Sequence, residues 1–213
     1  MIATEGFKII FITSIIFILL VIGCFLYSNL YLKIITILIG ILFLFNFYFF
    51  RDPDRSRPQG DNLILSPADG TIVKIAEVNE PYYFKDKVRC VSIFLSVFNV
   101  HVNRIPISGT VDFFRYIEGK FLPAFEDKAS EKNEQTVIGI KNSKIRILFK
   151  QIAGIIARRV VCEIGEGDTV NIGERCGIIL YGSRVDIFLP ANVKLHIKNK
   201  DKVIGGVSII GEY

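Results

Sequence analysis

The sequence predicts a mainly β protein, a β-sandwich or barrel-like domain preceded by an N-terminal hydrophobic helical hairpin. Three observations carry that reading. Charge is nearly absent from residues 1–50, where only Glu5, Lys8 and Lys33 stand among apolar side chains. From residue 62 onward the chain is rich in Val, Ile and Phe and repeatedly broken by Gly, Asn and Asp, the punctuation of strands and tight turns. No long window after Phe50 carries a clean helical period. With 213 residues, 51% of them hydrophobic, and 26 Lys and Arg against 21 Asp and Glu, a disordered or collagen-like chain is excluded. The partition of charge also excludes a simple soluble enzyme. Two units follow, a membrane-anchoring hairpin over residues 1–50 and a β-rich domain over 51–213.

The hairpin rests on two uncharged runs, residues 9–27 and 34–50. A helix needs about 20 apolar residues to cross about 30 Å of hydrocarbon, so the first run suffices and the second is short. Its end, Asn46-Phe47-Tyr48, suits a membrane interface. Residues 28–33 are expected to form the turn. No small-x-small site follows the first run and a second run comes at once, which argues against a cleaved signal peptide. Two buried core helices are the bland alternative. Arg51, Arg55 and Arg57 follow the second run, Lys8 precedes the first, and Lys33 stands alone between them. The positive-inside rule then puts both chain ends and the β domain in the cytoplasm. The three arginines would lie against anionic headgroups, each worth about 1 kcal/mol.

Cysteine use fits a reducing compartment. Cys24 lies in the hairpin, and Cys90, Cys162 and Cys176 form no CxxC pair and have no His at ligand spacing, so no zinc site is expected. The basic excess comes without a Lys/Arg run, which points to a membrane surface and not to nucleic acid.

In the β domain, residues 144–152 alternate well. Ile145, Ile147 and Phe149 take one face and Lys144, Arg146 and Lys150 the other. Residues 70–78, 88–95, 110–116, 136–140, 184–189 and 203–209 read as further strands, and 120–133, polar and containing Pro123, as a long loop. The turns at 66–71 and 167–173 resemble those of biotinyl/lipoyl-type β-sandwich modules. The lysine that such modules present at a hairpin tip has no match here, so the likeness is one of architecture.

Histidine is scarce. His101 sits in what reads as an alternating strand, Ser96-Val97-Phe98-Asn99-Val100-His101-Val102-Asn103-Arg104, on a face shared with Asn99 and Asn103. His196, between Lys194 and Lys198, reads as an ordinary solvated strand residue. Ser183 follows Gly182 at a strand junction, and Asp69 occupies a turn whose chemistry explains it by itself. Together Ser183, His101 and Asp69 could supply nucleophile, base and orienting carboxylate, though many chains hold such a triple by chance.

Six separated blocks narrow the choice: Phe49-Phe50-Arg51-Asp52-Pro53-Asp54-Arg55, then residues 66–71, 94–106, Asn133-Glu134-Gln135, 151–159 and 181–190. In order and spacing they resemble the phosphatidylserine decarboxylase proenzyme family, in its short bacterial and archaeal branch, over nearly all of residues 49–213. Longer members carry Leu-Gly-Ser-Thr at the cleavage site; this chain has Tyr181-Gly182-Ser183-Arg184, similar to the short branch.

The resemblance implies a chain that cleaves itself between Gly182 and Ser183, giving a β chain 1–182 and an α chain 183–213 that stay together as a heterodimer. Ser183 would be the nucleophile and then the covalent pyruvoyl group, the Schiff-base site. His101 would be general base and later general acid, with Asp69 orienting it. Glycine before the serine removes Cβ crowding at the attacked carbon. The implied reaction is decarboxylation of phosphatidylserine to phosphatidylethanolamine and CO2 at a lipid membrane, with no metal and no pyridoxal phosphate. Two other readings stay open on the residues alone. One is a membrane-tethered serine peptidase using Asp69, His101 and Ser183. The other is a non-catalytic biotinyl-like membrane adaptor.

Overall fold

A computed structural model describes residues 1–119, 132–154, 159–180 and 183–213. The loop expected over 120–133 therefore lies almost wholly outside the described residues, as do Tyr181 and Gly182 and part of the 151–159 block. The chain divides into two units, Met1–Asp54 and Arg55–Tyr213.

The first unit is a pair of helices, α1 (Thr4–Leu26) and α2 (Leu30–Phe49). At 1.5 Å per residue they run roughly 35 and 30 Å, and both are long and apolar enough to cross a membrane. Each extends beyond the uncharged run that announced it, so Lys33 falls in the first turn of α2 and the connection is shorter than residues 28–33. Asn29 caps α2: its Oδ1 accepts from the N–H groups of Tyr31 and Leu32 at 2.9 and 3.2 Å. Small and hydroxylated side chains hold the pair together. Gly40 lets the Phe17 ring approach, and Cys24 Sγ meets Thr36 Oγ1 at 3.2 Å.

Among its described residues the second unit has fourteen strands, all paired antiparallel: β1 (Leu63–Leu65), β2 (Gly70–Glu80), β3 (Asp86–Leu95), β4 (Val102–Arg104), β5 (Gly109–Ile117), β6 (Gln135–Lys141), β7 (Arg146–Ala153), β8 (Val160–Cys162), β9 (Thr169–Val170), β10 (Arg175–Ile179), β11 (Ser183–Leu189), β12 (Lys194–Leu195), β13 (Lys202–Val203) and β14 (Ile209–Glu212). Eight of them form one curled sheet in the order β13-β2-β3-β11-β7-β6-β5-β9. Two three-stranded sheets, β1-β14-β12 and β4-β10-β8, complete the unit. The expected mainly β fold with its helical hairpin is the one observed.

Alternation along β11 sets the two faces of the large sheet. Val185, Ile187 and Leu189 enter the main core with Ile93, Leu95, Ile147 and Phe149, all fully buried. Phe188 turns the other way, into a smaller cluster with Val88, Cys90, Val137 and Leu148. Two strand expectations need amendment. Residues 203–209 do not form one strand; the chain turns at Gly205-Gly206, where Gly206 takes φ +72°, a conformation glycine adopts without Cβ strain. The stretch before β4 is likewise a turn up to Asn99 rather than a strand.

Candidate active site

Ser183 opens β11 in the middle of the large sheet, its Cα paired with Leu95 of β3 on one side and Ala153 of β7 on the other. Its side chain shares the core-facing row of Val185 and is completely buried, yet its Oγ has no hydrogen-bond partner among the described residues. A buried hydroxyl without a partner costs about 1–3 kcal/mol, so it marks a functional position more often than a packing one.

His101 is also fully buried and stands directly before β4. Its carbonyl accepts from the Ile179 N–H at 3.2 Å, which ties it to the end of β10. Ser183 lies four residues beyond Ile179, so the His101 carbonyl and the Ser183 backbone are within about 18 Å by chain length and that hydrogen bond alone. The ring itself is set locally, with Nδ1 3.0 Å from the Asn99 carbonyl oxygen.

Asp69 is held elsewhere. Arg55 donates to both its oxygens, at 2.6 and 2.9 Å, and the Gly205 N–H donates to Oδ1 at 2.8 Å. A bidentate guanidinium is the strongest partner open to a carboxylate, and both side chains are nearly buried. One link from this turn to the strand after His101 runs through backbone: the Arg104 N–H donates to the Pro67 carbonyl at 2.8 Å. Thus the structure joins Asp69 to Arg55, and the Nδ1 position of His101 to a carbonyl. His196 sits 3.4 Å from Glu212 at the surface, away from Ser183 on a different sheet edge.

Sequence reasoning missed a buried amide chain on the same face. Thr136 Oγ1 donates to Gln151 Oε1 at 2.6 Å, and Gln151 Nε2 donates to Asn103 Oδ1 at 2.8 Å. Gln151 is the Cα partner of Val185, two residues from Ser183. Asn103 Nδ2 ends the chain buried and unpartnered among the described residues. The signal was present: Gln151 continues the row of Ile145, Ile147 and Phe149, a polar side chain in an apolar series. Next to it, Asn133 Nδ2 donates to the Ala153 carbonyl at 2.8 Å, and Glu134 Oε1 accepts from the Val160 N–H at 3.1 Å, so the Asn133-Glu134-Gln135 block braces the strand beside Ser183.

Two of the cysteines offer no rival nucleophile. Burial pushes the Cys90 thiol up to about 12 and the Cys176 thiol well above its ordinary value, so both stay protonated near neutrality. Among the described residues no group of three or more His, Cys, Asp or Glu side chains is arranged to hold a metal.

Comparison with known proteins supplies the family. Residues 42–211 match the family model described as phosphatidylserine decarboxylase. The chain belongs to the phosphatidylserine decarboxylase family. A protein of Carboxydothermus hydrogenoformans called phosphatidylserine decarboxylase proenzyme is 47% identical over 82% of this chain and 83% of its own length. Relatives of the same name from Ehrlichia chaffeensis and Wolbachia pipientis are 50% and 52% identical, over 84% and 76% of this chain and 79% and 73% of theirs. The match to this family of enzymes begins within α2 and takes in Ser183, His101, Asp69 and the amide chain alike.

Proposed function

We propose that this protein is a pyruvoyl-dependent phosphatidylserine decarboxylase, made as a proenzyme that matures by cutting itself between Gly182 and Ser183. The observation that carries the reading is the Ser183 hydroxyl, buried without a partner among the described residues at the head of a central strand. In maturation Ser183 Oγ attacks the Gly182 carbonyl carbon while His101 takes the hydroxyl proton, and the peptide bond becomes an ester. Elimination across the Ser183 Cα–Cβ bond then frees the carboxylate of the β chain, 1–182. Hydrolysis of the resulting enamine releases ammonia and leaves a pyruvoyl group heading the α chain, 183–213.

The residues present suit that group: among the described residues no hydrogen-bond partner occupies the Ser183 hydroxyl, and the Gln151–Asn103 amide pair lies on the same face of the sheet. When formed, the pyruvoyl carbonyl supplies an electron sink for the substrate amine, as no ordinary side chain can. Asn103 Nδ2 is the donor available to an oxyanion at the attacked carbonyl, held by Gln151 and Thr136. His101 is the proton donor that completes the amine product, phosphatidylethanolamine. Asp69, paired with Arg55, acts at one remove as a positioning residue for the turn packed on β4. The two apolar helices hold the enzyme in the membrane that contains its substrate, with the β unit on the cytoplasmic side of a bacterial inner membrane.

Intact mass spectrometry of the purified protein tests this directly. Two chains meeting at Gly182–Ser183, with the second lighter by the serine amine, are the expected result. A single 24.1 kDa chain that still decarboxylates phosphatidylserine would sink the proposal. A periplasmic reporter active after Tyr213 would overturn the orientation alone.

A further inference from the structure

Arg184 follows Ser183 directly, so strand alternation sends its side chain to the opposite face of the large sheet. It is only 4% exposed there, beside Asp186 at 1% and Ser92 at 0%. Arg184 Nε donates to Asp186 Oδ1 at 2.6 Å, and its Nη2 donates to Ser92 Oγ at 2.8 Å. Ser92 stands in β3 directly opposite Asp186, so the guanidinium ties β11 to a strand 92 residues earlier in the chain. A buried ion pair is weak evidence for stability, because desolvation offsets its attraction. Its best-attested use is to fix register.

The core-facing row of β11 specifies its register poorly. Val185 and Ile187 oppose Ile93 and Val91 of β3, with Leu95 opposite Ser183 and Leu189 closing the row. A shift by one residue would turn this row out of the core and is thereby excluded. A shift by two sets aliphatic against aliphatic again, keeps every face, and carries residue 183 about 7 Å along the sheet. The opposite row is different, because Arg184, Asp186 and Phe188 are three unlike side chains. Shifted by two, the buried guanidinium and carboxylate would leave the Ser92 hydroxyl and the groups around it, at the cost of burying polar atoms unsatisfied. The polar pair therefore tells the two registers apart.

Maturation makes that distinction matter. In the proenzyme β11 is covalently held at both ends. Cleavage between Gly182 and Ser183 frees its first end, and loss of the serine amine removes the N–H of residue 183. Arg184 is then the first residue with both backbone groups to give to the ladder, at a chain end, where order is most easily lost. We propose that Arg184, held by Asp186 and Ser92, is a positioning residue that keeps the pyruvoyl-bearing end of β11 in register after maturation. It works from the face opposite Ser183 and touches neither substrate nor reacting atoms. The inference rests on the decarboxylase reading and gives the residue after the cleavage point a task within it. The demand is strict, since a misplacement of about 1 Å can cost about 10²-fold in rate.

The test compares the uncleaved and mature forms of the full-length protein in neutral detergent. Ser183→Ala supplies the uncleaved form, and mass spectrometry establishes the state of each sample. Amide hydrogen exchange along residues 185–188 is measured in both forms, with and without Arg184→Met. The loss of protection caused by Arg184→Met should be at least about tenfold greater in the mature form than in the uncleaved one. Per cleaved molecule, its kcat should fall about 10²-fold with KM little changed, and Arg184→Lys should recover part of both effects. Ser92→Ala removes one hydrogen bond and leaves the ion pair. It should act in the same direction by a smaller factor, and it decides the matter should Arg184→Met not fold. Equal loss of protection in the two forms would make the pair a purely structural contact and overturn the proposal. So would a parental kcat in mature Arg184→Met, or an Arg184→Met chain that folds yet never cleaves. A parent protein that stays a single chain would instead overturn the decarboxylase reading, and this inference with it, so the two failures are distinguishable.

Discussion

His101 Nδ1 lies 3.0 Å from the carbonyl oxygen of Asn99, two residues earlier in the chain. A carbonyl only accepts, so in the neutral ring Nδ1 carries the hydrogen and Nε2 is the basic nitrogen. The turn that presents this carbonyl is itself tied: Asn99 Oδ1 accepts from the Ser96 N–H and hydroxyl at 2.9 and 2.8 Å. The tautomer that a general base needs is thus set by a local turn, a task more often given to a carboxylate.

Ser183→Ala should leave a single chain of 24.1 kDa with no decarboxylase activity, because the attacking oxygen is gone. Its stability should stay within about 1 kcal/mol of the parent or rise slightly, since the hydroxyl removed is buried and has no partner among the described residues. Mass spectrometry and a thermal melt of the uncleaved protein check the two halves. A drop of several kilocalories per mole would mean that the hydroxyl holds a structural bond.

His101→Ala should mature slowly, by about 10⁴-fold in rate in the manner of other Ser-His systems. Asn99→Ala keeps the carbonyl and loses only the two hydrogen bonds of its side chain, each worth about 1 kcal/mol. It should therefore slow maturation far less than His101→Ala. Time courses of chain cleavage on denaturing gels separate them, and equal impairment would show that the Asn99 side chain, not its carbonyl, matters.

Much of this arrangement was legible beforehand, and the limits have physical causes. Period-two alternation gave the long strands, because one face of each is continuously apolar. It could not give β8, β9, β10, β12 or β13, each at most five residues long and defined only by partners distant in the chain. The buried amides were visible as polar side chains in apolar rows, but only the fold reveals that Thr136, Gln151 and Asn103 meet. Asp69 shows the opposite limit. Residue type made it an orienting carboxylate; its actual partner, Arg55, lies in a segment that composition assigned to membrane headgroups. Nothing local in the sequence ranks those two fates.

The Arg55–Asp69 pair should behave as one unit. Arg55→Met and Asp69→Asn should each cost about 2–3 kcal/mol, lowering the melting temperature by roughly 4–12 °C, and the double variant should cost much less than the sum. Both should slow cleavage at Gly182–Ser183 to a similar, moderate degree, through the turn packed on β4. If Asp69→Asn stopped maturation while Arg55→Met matured normally, Asp69 would touch the reacting groups itself.

The amide chain gives the sharpest separation between structure and chemistry. Gln151→Leu leaves Thr136 Oγ1 and Asn103 Oδ1 buried without the partners they now have at 2.6 and 2.8 Å. Each such loss costs about 1–3 kcal/mol, so this variant should be clearly destabilised. Asn103→Leu removes the unpartnered Nδ2 together with one accepting oxygen, and should cost less stability than Gln151→Leu. Its effect on maturation should be the larger of the two, because the donor offered to the oxyanion is gone; loss of one such donor typically costs about 10²–10³ in rate. Stability from chemical denaturation and cleavage rate from stopped aliquots should therefore rank the two variants in opposite orders. If both measurements ranked them the same way, Asn103 would be a packing residue, and the oxyanion would have to draw its donors from backbone N–H groups instead.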